Sequence, residues 1–210
     1  MTDIPIAFPD TEMGFDASSI DADKFSEKFI EEFKNELTTR MSEDKRKRVP
    51  IVTEYVIKSA VSAANTAVFD QTWQFNYNIN IEVSAHKERK LLEEHIESDK
   101  NLENIKITSC LGGDLDVQIR IGNKVLVNLE SELGGARQRA EDLAKLTSHT
   151  HPPIVSIMVS RGKSRKEVES IKKNISNKSN ENTGDLISIT IYWKNNSRIK
   201  EAEIIIDKVR

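Results

Sequence analysis

The chain has 210 residues, 37% of them hydrophobic and 31% charged, with a formal net charge of −3. That length suffices for one full domain with a good core, and the charge excludes a globally basic nucleic-acid binder, leaving only a local patch for any such contact. No apolar run is long enough to span a bilayer and no charged-then-apolar leader opens the chain; the single Cys110 excludes an internal disulfide, so a cytoplasmic, reducing location is expected.

Pro5, Pro9 and Gly14, with few spaced apolar residues, mark positions 1–20 as an irregular N-terminal arm. Ser18, Ser19 or Asp21 can cap a helix in which Phe25, Phe29, Phe33, Leu37 and Met41 recur every four residues, a stripe that belongs in the core. Glu43 to Arg48 is a charge-dense linker. Pro50 opens a second helix to about Val68, with Val52, Val56 and Ala60 or Ala63 inward. Asp70 follows at its carboxyl end, where the helix dipole disfavours a carboxylate. Residues 21–70 are thus expected as a helical region and 71–210 as a mixed-sheet core, within one domain.

Gln74 to Val83 alternates strictly, with Phe75, Tyr77, Ile79, Ile81 and Val83 on one face and Gln74, Asn76, Asn78, Asn80 and Glu82 on the other, the pattern of a half-buried strand. The row of amides suits an edge or solvated face better than base readout. Residues 85–98 read as a charged surface helix with Leu91, Leu92 and Ile96 as its apolar side, and Ile105-Lys106-Ile107 leads into the next segment. Cys110 reads as a strand-end residue rather than a nucleophile, since no His pattern accompanies it.

The stretch from Gly112 to Glu132 reads as two alternating strands joined at Gly122-Asn123, where positive φ is tolerated. A three-residue loop, Gly122-Asn123-Lys124, sets Ile121 opposite Val125, Ile119 opposite Val127 and Val117 opposite Leu129, so one face is wholly apolar. The other carries Asp116, Gln118, Arg120, Leu126, Asn128 and Glu130. A two-residue loop would slip the pairing and mix the faces. Asp116 then lies across from Glu130, with Asp114 and Glu132 one step further, so four carboxylates crowd one end of one face. Like charges opposed in a ladder are destabilising. A bound divalent cation or a proton held by a raised pKa relieves them, and oxygen-only ligands suit Mg²⁺. A solvated face whose charges spread into water is the competing account.

Beyond the hairpin, Gly134-Gly135 breaks the strand and Ala136 to Leu146 forms a helix with Ala140, Leu143 and Ala144 inward. Arg137 and Arg139 in its first turn oppose the helix dipole, which either a docked anion or salt bridges to the acidic cluster would explain. His149 and His151 precede Pro152-Pro153 and fit a loop better than a metal site, for want of further ligands. Ile154 to Val159 is continuously apolar, as a central strand buried on both faces should be. The basic run Arg161, Lys163, Arg165 and Lys166 after it is a reasonable surface for backbone phosphates. A helix to about Ile175, an exposed loop from Asn174 to Gly184 and strands over Leu186–Trp193 and Glu203–Val209 complete one α/β domain around a mixed sheet.

Asp116 on one strand, Glu130-Ser131-Glu132 on the next and a helix after it resemble the signature of the PD-(D/E)XK nuclease superfamily. Glu132 stands where that signature usually has Lys, a departure similar to the BamHI-type type II restriction endonucleases. Gly112 to Val117 resembles the segment carrying their metal-binding Asp, and Glu130 to Gly135 their Glu-x-Glu and following Gly. Val49-Pro50-Ile51 resembles the start of the helix that supplies a further acid, which falls near Asp70 by offset, with Glu54 as the alternative. The resemblance implies a restriction-endonuclease-like core and hydrolysis of double-stranded DNA at a short palindromic site by a homodimer. It implies Mg²⁺ as cofactor, with Mn²⁺ as a substitute, held by Asp116 and Glu130, with Asp114 and Asp70 as further metal candidates and Glu132 as general base. Arg137, Arg139, Arg161, Lys163, Arg165 and Lys166 would contact DNA. A structure-specific, repair or viral nuclease of the same fold and a non-catalytic acidic interaction protein stay open as alternatives.

Overall fold

The computed structural model describes residues 17–43, 49–72, 77–109, 115–133, 135–147, 152–162, 164–176, 184–192 and 203–208. Helix α1 (Ala22–Glu43) begins where the Asp21 carboxylate accepts the backbone N–H groups of Asp23 and Lys24 at 3.0 and 3.1 Å, satisfying donors that the first helical turn leaves open. Phe25, Phe29 and Phe33 are fully buried and stack in succession, each pair of ring centroids 5.7 Å apart. They pack on helix α2 (Val49–Thr72), whose buried Ala60, Ala63, Ala64 and Ala67 let helix and sheet approach closely. The N-terminal arm is not irregular throughout. Ala17–Ser19 form a 3₁₀ turn and Ile20 is buried in the core, its carbonyl accepting from Lys124 Nζ at 2.6 Å.

The sheet has seven strands among the described residues, in the order β2-β1-β3-β4-β5-β6-β7. These are β1 (Ile79–Val83), β2 (Ile105–Ser109), β3 (Val117–Ile121), β4 (Lys124–Glu132), β5 (Val155–Gly162), β6 (Asp185–Tyr192) and β7 (Glu203–Lys208). Pairing is parallel for β1/β2, β4/β5 and β5/β6 and antiparallel for β1/β3, β3/β4 and β6/β7, so the sheet is mixed as expected. Helix α3 (His86–Ser98) joins β1 to β2, α4 (Ala136–Thr147) joins β4 to β5, and α5 (Arg165–Ser176) joins β5 to β6. The main core lies between one sheet face and α1–α2; a second cluster of Leu115, Leu143, Leu146, Met158, Ile171 and Leu186 lies under α4 and α5. Strand β5, parallel-paired on both sides and buried along nearly its whole length, is the central strand its apolar run predicts.

Several local expectations change. The alternating run from Gln74 becomes a strand only from Ile79; Tyr77 and Asn78 precede it, and Gln74 to Asn76 lie outside the described residues. In α4 the inward residues are Leu143, Leu146 and Asp142, while Ala140 and Ala144 are exposed. The hairpin uses a two-residue turn, Gly122-Asn123, with Gly122 at φ +53° and Ile121 paired to Lys124. The core register survives because β4 inserts one extra residue. Arg120 pairs with Val125 but Ile119 with Val127, leaving Leu126 as a β-bulge. The bulge restores the expected Ile119–Val127 and Val117–Leu129 pairs and buries Val125, Leu126 and Val127 together.

Candidate functional site

Asp116 immediately precedes β3 and Glu130 lies near the end of β4, one residue beyond the Val117–Leu129 pair, so the antiparallel register sets them side by side. The backbone N–H of Ser131 donates to Asp116 Oδ2 at 2.8 Å, clamping the Asp116 carboxylate to the neighbouring strand. Glu130 is 2% exposed, and its Oε1 is enclosed without accepting a hydrogen bond. The Lys145 ammonium, in the last turn of α4, stands 3.7 Å from that oxygen and 2.7 Å from Asp142 Oδ1.

The hairpin's polar face is therefore not solvated at this end. Asn128 is fully buried and accepts from Gln118 Nε2 at 2.8 Å, and Arg120 pairs with Glu82 at 2.9 Å. Burial pushes the Glu130 carboxyl up to about 9, reinforced by the Asp116 charge, with Lys145 only partly opposing. Burial also raises Asp116; the Ser131 N–H pulls it down, while Asp142 and Glu88 push it further up. Lys145 is raised chiefly by its contact with Asp142. Two adjacent acids that favour protons in the absence of a cation are the electrostatic signature of a site that gains from positive charge.

Asp116 faces a cleft of about 410 Å³ walled by Thr53, Glu54 and Ile57 of α2, Lys87 and Glu88 of α3, and Ser131 at the end of β4. Thr53 Oγ1 and Ser131 Oγ stand 3.0 Å apart, joining α2 to the hairpin. The two candidates for a further acid on α2 lie far apart. Asp70 is exposed near the far end of α2, about 25 Å further along the helix axis than Thr53; Gln71 beside it bonds the Asp21 backbone at the N-terminal end of α1. Glu54, the alternative, lines the cleft and pairs with Lys58 at 2.9 Å. Asp114 lies outside the described residues, as do Cys110, His149 and His151.

Glu132 is half-buried at the end of β4, paired in register with Ser160 of β5 and on the same sheet face as Glu130; that face is turned toward α4, and neither glutamate lines the cleft, which Ser131 between them does. Glu88, Lys87, Asp142 and Lys145 were missed in the sequence. Glu88 sits among the charged residues of a helix whose apolar side, Leu91, Leu92 and Ile96, does not mark the cleft-facing turn, and the (i, i+3) spacing of Asp142 and Lys145 does not point to Glu130. Among the described residues no group of three or more His, Cys, Asp and Glu side chains forms a metal cage. Asp116 and Glu130 fall short of such a group as two neighbouring carboxylates.

The predicted basic contacts separate. Arg137 is exposed and pairs with Glu141 at 2.9 Å. Arg139 turns away from the acidic cluster: its Nη2 meets Glu167 of α5 at 3.3 Å and its Nη1 donates to the Arg161 carbonyl at 3.3 Å. Arg161 is half-buried on β5, Arg165 and Lys166 are exposed in the first turn of α5, and Lys163 lies outside the described residues. Among the described residues no helix is long and apolar enough to cross a membrane. Comparisons with protein-family models, with curated proteins and with solved structures find no match.

Proposed function

We propose that the chain is a Mg²⁺-dependent endodeoxyribonuclease that cuts double-stranded DNA at a short palindromic site as a homodimer, with a restriction-endonuclease-like core. The observation that carries this reading is the burial of Glu130 beside Asp116 at one end of the β3–β4 hairpin, with an enclosed carboxylate oxygen that accepts no hydrogen bond. An acid just ahead of β3, Glu-x-Glu closing β4 and α4 after it resemble the order of the nuclease signature, and that likeness supports the reading.

In this reading Asp116 and Glu130 would hold the cation, with Glu54 as the additional acid on the cleft side of Asp116 and Glu130 on its α4 side, outside the cleft lining. Such a cation would supply charge neutralisation at the scissile phosphate and make water a better nucleophile at neutral pH. Asp116 and Glu130 would hold it in their ionised forms, giving up the protons that burial favours on them. Glu132 accepts the proton of the attacking water, which a carboxylate does where Lys⁺ does not. Arg137, Arg165 and Lys166 reach the DNA backbone; Arg139, held toward Glu167, leaves that set.

Plasmid and phage DNA incubated with Mg²⁺, with EDTA, and with Glu132→Ala protein test the reading. Discrete Mg²⁺-dependent bands that the variant loses support it, and mapping their ends gives the site. A smear favours a nuclease that cuts by structure or without specificity. No cleavage, together with no calorimetric Mg²⁺ or Mn²⁺ binding, returns the chain to a non-catalytic acidic interaction protein.

A further inference from the structure

A second cavity, of about 440 Å³, lies between α4 and α5 over β5. That volume is in the range of small-molecule sites. Leu143, Met158 and Ile171 give it apolar walls, and Arg139 and Glu167 place a guanidinium and a carboxylate together in its lining. Ser160 at its floor is fully buried, and its hydroxyl has no hydrogen-bond partner. A buried hydroxyl left without a partner is unfavourable, so a polar group entering the cavity gains by bonding there. Its position is equally specific. Met158 and Ser160 are the register partners of Glu130 and Glu132, so the floor lies one strand, about 4.8 Å, from the two carboxylates and on the same sheet face. The cavity thus sits toward the carboxyl end of β5, where open α/β sheets bind ligands.

We infer that this cavity receives a guanine base. Apolar walls suit the faces of a flat aromatic ring, while its edge needs donors and acceptors side by side. Guanine presents O6 and N7 as acceptors, which an Arg fork meets, and ring and exocyclic N–H donors, which a carboxylate accepts. Arg139 and Glu167 offer that complement, and the Ser160 hydroxyl either donates or accepts. Arg139 holds Glu167 and the Arg161 carbonyl at 3.3 Å each, and a ligand edge would exchange with these contacts. Insofar as the base belongs to DNA, the inference rests on the nuclease reading: a base extruded beside the cut phosphate would reach this cavity, and the unpairing cost would be lowest for single-stranded or mismatched DNA.

Saturation-transfer NMR with guanosine, adenosine, cytidine and thymidine, in EDTA, tests the cavity without any cleavage. Guanosine is expected to bind, and roughly tenfold or more tightly than the other three, since one bidentate contact discriminates at that level. Ala140→Phe plugs the cavity from an exposed helix position that tolerates a large side chain, and the guanosine signal should vanish. Glu167→Gln should retain binding but lose the preference for guanosine. No nucleoside signal in the wild-type protein, equal signals from all four, or an unchanged signal in Ala140→Phe overturns the inference. Plasmid cleavage with Mg²⁺ on the same preparations separates the two ideas. Cleavage without guanosine binding removes the guanine site and leaves the nuclease; guanosine binding with neither cleavage nor calorimetric Mg²⁺ or Mn²⁺ binding leaves a nucleoside site and removes the nuclease.

Discussion

Glu130→Gln puts a number on the acid pair. In the folded chain the Glu130 carboxyl is pushed from 4.5 up to about 9, first by burial and then by Asp116, whereas in the unfolded chain it ionises in the ordinary range. Between those values the folded state binds one more proton than the unfolded, so stability falls as pH rises through the window. The slope is about 1.4 kcal/mol per pH unit, which gives wild-type protein a loss of roughly 4 kcal/mol from pH 5 to pH 8 attributable to this group. Glutamine keeps the shape and has no proton to lose, so the variant should lack that component. Asp116 is also raised and titrates in both proteins, so the comparison is between slopes rather than absolute stabilities. Urea unfolding at unit pH steps in EDTA measures both. Parallel pH profiles for wild type and Glu130→Gln would mean that Glu130 ionises normally when folded, and the electrostatic argument for the site would fail with it.

Other perturbations probe separate links. Glu54→Gln should lower Mg²⁺-dependent cleavage by about tenfold or more, as loss of a metal-site partner does, while Asp70→Asn, on the distant end of α2, should leave the rate unchanged; equal effects would refute the placement of the further acid. Lys145→Met removes a cation beside Glu130 and Asp142 and should cost about 1 kcal/mol, given the half-exposed ammonium, with the cost greater at pH 8 than at pH 6 in denaturant melts. Phe29→Ala empties the middle of a fully buried stack and should cost about 3–5 kcal/mol in the same assay. Gly122→Ala meets only ordinary contact with Ala17 at 3.8 Å but keeps φ +53°, so a loss of about 1–2 kcal/mol would come from backbone strain alone.

Periodicity by itself determined the elements whose burial is one-sided or complete. The Phe25–Phe29–Phe33 stripe, the alternating β3 residues and the unbroken apolar run of β5 each admit one orientation, because any other would expose them to water. The adjacency of Asp116 and Glu130 was legible for the same reason, since the apolar pairs Ile119–Val127 and Val117–Leu129 fix which residues face each other near the open end. What happens at the turn was not legible. A two-residue turn and a three-residue loop suit Gly122-Asn123 equally, and only packing on three sides of Val125, Leu126 and Val127 makes the bulge worthwhile.

Tertiary structure alone decided which charges meet. α2 presents Glu54 and not Asp70 to the hairpin because its docking against α1 and the sheet sets which turn lies beside Ser131. α4 directs Lys145 to Glu130 and Arg139 to Glu167 because the two cations lie on different flanks of one helix, each facing a different neighbour. Charges on a surface helix carry no hydrophobic pattern to orient them. Spacing along a helix foretells pairs such as Glu54–Lys58, Arg137–Glu141 and Asp142–Lys145, whereas Lys145–Glu130 and Arg139–Glu167 come into being only when distant elements pack.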